Sequence, residues 1–212
     1  PWVVGNAGVF GALAIVLLSV AITFTTALSL SSITTNVRIG SGGAFSLIAQ
    51  SLGLEIGGAI GVPFYFAQAI AVAMYIFGFR EGLQTLIPGV DPFILDILIF
   101  SVVMTIAFIS TSFAFKIQYV ILGIIVLSLV SIYGALFVND LDYNIEWFGK
   151  YPGSVENNFS GSSFWHVFAV FFPAVTGVMA GANMSGDLTN PRKSIPVGTL
   201  SSVIITTIIY VS

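Results

Sequence analysis

The sequence predicts an all-α polytopic membrane protein, and three observations carry that reading. Of 212 residues, 57% are hydrophobic and only 7% are charged, against about a quarter charged in an ordinary soluble domain. The apolar residues fall in runs close to the length of about 20 that a helix needs to cross the hydrocarbon core. One of those runs, 164–185, carries proline and glycine in its interior, which predicts either a discontinuous helix or a kinked one. The chain has no cysteine, which excludes a disulfide framework and a thiolate metal site. Its six basic residues are scattered, so no basic patch suits nucleic acid. Beginning at Pro1 and ending at Ser212 within an apolar run, the chain is expected to be a fragment of a single transmembrane domain, 1–212, and 3–20 lacks the basic leader and small-residue cleavage site of a signal peptide.

The first span is expected at 7–30. The stretch SSITTNVRIGSGGAF that follows is rich in hydroxyls and glycine and reads as a connector outside lipid. In GGAFSLIAQSLG, Phe45, Ile48, Ala49 and Leu52 recur at helical spacing, which suits either a short helix on the membrane surface or a re-entrant cap on the bundle. The second span, 56–79, carries no charge and sets Gln68 and Tyr75 on one face at i and i+7. A buried tyrosine hydroxyl usually finds a partner, so spacing alone fits a helix-to-helix hydrogen bond.

Arg80 and Glu81 lead into the turn QTLIPGVDP, and Pro92 opens a third span, 93–115, with Asp96 one turn inside and within reach of the interface. Lys116 marks a tight connection to a fourth span, 117–138, which makes these two antiparallel neighbours. The stretch 139–163 sets Asp140, Asp142, Glu146 and Glu156 against Lys150 and reads as a solvent-exposed loop. Its Asn158 to Ser160 matches the short and unspecific glycosylation pattern. His166, the only histidine, heads the broken segment as an interfacial or packing residue, and a last span is expected at 195–212. With Arg38 on the cytoplasmic side, strict alternation puts Arg38, Lys116, Arg192 and Lys193 inside and Arg80 and Lys150 outside, in keeping with the positive-inside rule.

The interrupted run is where function is expected. Pro173 has no amide hydrogen, so the carbonyl of Ala169 loses its helical partner. Thr176 and Gly177 then form a breakpoint, and 178–183 can restart a helix. A break inside a bilayer exposes carbonyls at the end of its first half and amides at the start of its second, and lipid satisfies neither. The carbonyl end suits a cation and the amide end an anion. The other reading is a plain proline kink in which Gly177 and Gly181 form a small-residue packing face, and at this point both stay open.

Three motifs, SGGAFSLIAQSLGLEIGGAIG, AIAVAMYIFGFRE and FFPAVTGVMAGANMSGDLTNPRKSIPVGTL, closely resemble the cation-chloride cotransporters of the amino acid, polyamine and organocation superfamily. The last is the most specific, because its proline, threonine and glycine run is not forced by hydrophobicity. The resemblance runs through nearly the whole chain and corresponds to the family's second to seventh transmembrane helices, with 1–5 closing the first. It implies part of an inverted-repeat transporter fold whose discontinuous helices hold substrate at the midplane. It also implies site residues: Tyr75, Pro173 and Thr176 for potassium, and the backbone of Gly177, Val178 and Met179 for chloride.

The expected function is therefore secondary active cotransport of a monovalent cation, potassium with sodium as a further candidate, together with chloride. No enzymatic step, cofactor or resident metal is expected. The expected partners are the ions and the lipid bilayer, with a homodimer implied by the family's cytoplasmic tail, and the expected location is the plasma membrane, crossed several times. The family's first, eighth and tenth helices, which add further ion contacts, have no counterpart in this chain. An amino-acid permease of the same superfamily is the rival, and a non-transporting membrane scaffold is a third reading.

Overall fold

The computed structural model describes residues 2–37, 42–109, 111–138, 145–154 and 158–212. Arg38, on which the orientation argument partly rests, and Asp140, Asp142 and Glu156 of the acidic stretch lie outside them. Among the described residues there is no strand. The helices run in order α1 Trp2–Asn36, α2 Gly43–Leu52, α3 Leu54–Leu86, α4 Pro92–Ile109, α5 Thr111–Val138, α6 Phe164–Phe171, α7 Ala180–Asn183 and α8 Pro191–Val211. Among the described residues six segments are long and apolar enough to cross a membrane, with Phe164–Asn183 counted as one, and the chain is a multi-pass integral membrane protein. It divides into two compact units, Pro1–Val62 with Asn144–Ser212 and Pro63–Tyr143, the boundary falling at Pro63 within α3.

In the first unit α1 packs against α8 and α6. Ala7, Ile15 and Val16 of α1 meet Val167 and Phe171 of α6 in one buried cluster, and Leu30 meets Leu47, Ala182 and Ile195 in another. The SSITTN stretch, expected to leave the helix, continues α1 to Asn36. The hydroxyls explain the difference. Ser31 Oγ donates to the Ala27 carbonyl at 2.7 Å, and Thr34 and Thr35 donate to carbonyls three and four residues back. The side chains of Ser31, Thr34, Thr35 and Asn36 are thus satisfied by their own helix, and Ser31 and Thr34 are buried.

Gly8 interrupts α1 with φ of 68°, and the described part of the acidic stretch closes onto that point. Val9 and Phe10 amides donate to the carbonyls of Glu146 and Trp147, and Gly149 and Tyr151 amides donate to Ala7 and Asn6. Asn6 Oδ1 accepts from the Gly153 amide at 2.7 Å while its Nδ2 donates to the Gly153 carbonyl. A Cβ at Gly149 would collide with the Asn6 carbonyl and Ala7 backbone. This portion is a mostly exposed loop, as its charge predicts, and it is also strapped to α1 by backbone hydrogen bonds.

Helix α2 forms over the stretch whose helical spacing predicts it. Gly43, Ala44 and Leu47 are its buried positions, against Leu30, Ala182 and Ile195, while Phe45 and Leu52 stay exposed. Its other contact is made by glycines of α3: a Cβ at Gly57 would meet Ala49 and one at Gly61 the Phe45 ring. The small residues let the two backbones approach closely.

In the second unit α4 packs against α5, and Ile76, Leu95 and Ile99 form the buried cluster between α3 and α4. Asp91 caps α4, its Oδ1 accepting from the Phe93 amide at 2.8 Å. Arg80 Nη1 pairs with Asp96 Oδ2 at 2.8 Å, and its guanidinium lies 5.1 Å from the centre of the Phe77 ring. The sequence reading puts the boundary between the third and fourth spans at Lys116. In the structure α4 ends at Ile109 and α5 begins at Thr111, so Lys116 sits early in α5.

Candidate functional site

Ser163 starts the interrupted segment by accepting the amide of His166 at 3.2 Å, the N-cap that opens α6. The His166 ring lies 6.3 Å from that of Trp2, as suits a packing residue. Val167 and Phe171 are buried against α1. The α-helical ladder ends with the Phe172 amide on the Phe168 carbonyl, because Pro173 has no hydrogen to give Ala169. The chain tightens into a 3-10 turn over Phe172–Val175, becomes extended at Thr176 (φ −79°, ψ 171°), and enters positive φ, 105°, at Gly177. Helix α7 then restarts at Ala180. The segment is a discontinuous helix, as its sequence predicts. Its second half is shorter than the expected 178–183 and amounts to a single turn, so the individual amides before it matter more than any helix dipole.

Three successive carbonyls at the end of the first half each have a partner. The Pro173 carbonyl accepts from the Thr176 hydroxyl at 2.7 Å and from the Thr176 amide at 3.3 Å. The Ala174 carbonyl accepts from the Tyr210 hydroxyl at 3.2 Å, and the Val175 carbonyl from the Thr23 hydroxyl at 3.3 Å. The amides are left differently. Among the described residues, those of Gly177, Val178 and Met179 enter no backbone hydrogen bond, although the Gly177 carbonyl accepts from Ala180. Three consecutive donors thus stand beside two oxygens, Pro173 O and Thr176 Oγ1, that meet at one point.

Gly177 and Gly181 do not form one packing face. A Cβ at Gly181 would touch Thr199 Oγ1 at 3.4 Å and Ile195 at 3.8 Å, so Gly181 serves the approach of α7 to α8. A Cβ at Gly177 would meet nothing within 4 Å. Glycine is needed there by the backbone angle and not by space, which separates the break from a plain kink. An open cavity of about 350 Å3 adjoins it, lined by Thr23, Thr176, Thr199, Ser202 and Thr206 together with apolar residues.

Five of the six residues implied by the resemblance, Pro173, Thr176, Gly177, Val178 and Met179, fall at the break in one unit. Tyr75 belongs to the other unit. It lies on α3, 56% exposed, on an apolar groove with Ile76 and Phe79 of α3 and Leu98 and Val102 of α4. Its hydroxyl has no hydrogen-bond partner among the described residues, so the helix-to-helix bond suggested by the Gln68 spacing is not formed there. Sequence reasoning missed Thr23 and Tyr210. The available signal was weak: a hydroxyl in mid-span, and a lone tyrosine near the end of the last apolar run.

A helical multi-pass protein with a span broken at a cluster of neutral oxygens and free amides has the form of a membrane carrier. The family model described as amino acid permease matches residues 1–212, and the chain belongs to that family. It is 42% identical to solute carrier family 12 member 2 of Squalus acanthias, over 99% of this chain and 19% of the relative. It is 39% identical to human solute carrier family 12 member 1 (99% and 20%) and 38% identical to human member 2 (99% and 19%). These relatives bear out the resemblance to cation-chloride cotransporters drawn from the motifs. The chain spans about a fifth of the length of the curated relatives it matches.

Proposed function

We propose that this chain is the part of a secondary active cotransporter that holds a monovalent cation and chloride together at the break. The observation that carries the reading is the meeting of Pro173 O and Thr176 Oγ1, 2.7 Å apart, beside three unpaired amides. Pro173 and Thr176, with Tyr75 from α3, take the cation, potassium first and sodium as a second candidate. Gly177, Val178 and Met179 take chloride. For the cation to bind, the Thr176 hydroxyl rotates its hydrogen away from the Pro173 carbonyl, so both oxygens present lone pairs. A cation and chloride about 5 Å apart attract by roughly 3 kcal/mol at an effective dielectric of 20, so each ion improves the site for the other. A plasma-membrane location and a homodimer belong to the same reading, and no covalent step is needed.

The family model's description keeps an amino-acid permease as the rival. Its cargo would set a carboxylate on the same amides and an amine on the same oxygens. Rubidium uptake by the full-length protein separates the two. It should require chloride, and gluconate should not substitute, because it is too large for a pocket made of backbone amides. Chloride-independent uptake, or competition by amino acids, would return the permease to first place.

A further inference from the structure

We infer that Tyr210 and Thr23 set the cation selectivity of the break by deciding how many carbonyls a cation meets. The inference rests on the cation-chloride reading and adds two residues that the sequence motifs do not implicate. Three consecutive carbonyls, Pro173, Ala174 and Val175, lie at the end of the first half, and each accepts one hydroxyl from a different part of the fold. In a helical turn such carbonyls point toward its C-terminal end, so all three are aimed toward the gap. The hydroxyl on Pro173 comes from Thr176, itself a proposed ligand, and can turn away. The other two come from outside. Tyr210 reaches Ala174 from α8, and the single hydroxyl hydrogen of Thr23 is shared between the Val175 carbonyl at 3.3 Å and the nearer Ser19 carbonyl of its own helix at 3.0 Å.

The Tyr210 ring is 43% exposed but packed on one side. It stands edge-on to Phe171, with centroids 5.5 Å apart and planes at 79°. Thr23 is buried, 8% exposed, in the centre of α1. Both are therefore positioned donors that keep two of the three carbonyl dipoles engaged. Selectivity in a site of carbonyls depends on how many dipoles reach the ion and how freely they move. One carbonyl and the proposed hydroxyl ligands compensate poorly for the tight hydration shell of a small cation, and better for the looser shell of a larger one. Releasing Ala174 or Val175 adds a carbonyl and shifts preference toward sodium. Tyr210 and Thr23 are positioning residues that touch no ion.

The test uses the full-length transporter and three variants, Tyr210→Phe, Thr23→Val and the hydroxyl-retaining control Thr23→Ser. The readout is sodium's inhibition constant against rubidium uptake divided by the rubidium KM, alongside chloride KM at saturating rubidium, maximal rate and surface abundance. That ratio should fall about 2-fold to 10-fold in Tyr210→Phe, the change expected from one neutral hydrogen bond. It should fall similarly in Thr23→Val, further in the double variant, and stay unchanged in Thr23→Ser, with chloride KM constant throughout. A merely structural role would lower abundance and maximal rate at a constant ratio, and that result overturns the inference. So does a fall in Thr23→Ser equal to that in Thr23→Val. Absent or chloride-independent uptake by the unmutated protein would instead overturn the cotransport reading itself.

Discussion

The break over 172–179 and the hairpin of α3 and α4 both hold polar groups among apolar helices, and they neutralise them by opposite means. In the hairpin, charge meets charge: Arg80 and Asp96 pair at 2.8 Å, and only Arg80 Nε and Asp96 Oδ1 are buried without a partner. At the break nothing carries a full charge. Carbonyls are met by hydroxyls, and three amides are met by no backbone acceptor. A fixed ion pair holds its members permanently and offers little to a passing ion. Partial charges of both signs can take a cation and an anion and still release them, which transport requires. The two regions share a solvent problem and differ in whether its solution is reversible.

The comparison breaks most severely at Gly177. At φ 105° an L-residue is strained whatever the space around it, at a cost of order 1–3 kcal/mol that a regular helix would relieve. Gly177→Ala and, more strongly, Gly177→Leu should therefore restore helical backbone across the gap and withdraw the amides. The expected outcome is loss of chloride-dependent rubidium flux with normal membrane insertion, measured as uptake per surface copy. Normal flux in Gly177→Leu would mean that the break is only a bend.

Thr176→Val comes next. It keeps shape and removes the hydroxyl, leaving the Pro173 carbonyl with the Thr176 amide position alone. A lost ligand to a charged group costs on the order of 1.5–3 kcal/mol, or about 10-fold to 150-fold in rubidium affinity. Chloride affinity at fixed rubidium should weaken with it through their coupling. Tyr75→Phe should do the same if its free hydroxyl is the third oxygen. Unaltered affinity in both variants would leave the break without a cation.

What the sequence made legible follows from the same contrast. Pro173 and Gly177 act on the backbone within a few residues, so the break could be read from composition and position alone. Its partners could not. Thr23 and Tyr210 reach it from distant positions in the chain, and no local pattern distinguishes them from other hydroxyls in α1 and α8. Local patterning also misled at SSITTN, where polarity argued for a connector. Composition does not record that a hydroxyl can be satisfied by the carbonyl of the preceding turn. The described part of the acidic stretch is mostly exposed, as its charges suggest, but nothing in them announces that its backbone is held to α1 by Asn6 and by the close approach of Gly8 and Gly149. The reach of Arg80 to Asp96 was hidden because each was read against the membrane interface and not against the other.

The smallest expected effect on transport lies in that ion pair. Its side chains are 23% and 19% exposed, so solvent screens it in part. Asp96→Asn removes the negative charge and leaves the Arg80 guanidinium with only the Phe77 face beneath it. The loss of a charged hydrogen bond there should cost on the order of 1.5–3 kcal/mol of stability before that screening is discounted. Arg80→Gln in the Asp96→Asn background should recover part of it, because no unpaired charge then remains among apolar side chains. Thermal unfolding of the detergent-solubilised protein should therefore fall further in Asp96→Asn than in the double variant. Rubidium and chloride affinities should stay within about 2-fold in both, since a pair closed on itself contributes structure and not binding. A selective loss of ion affinity in Asp96→Asn, with stability unaltered, would place the hairpin among the transporting groups and remove the distinction between the two regions.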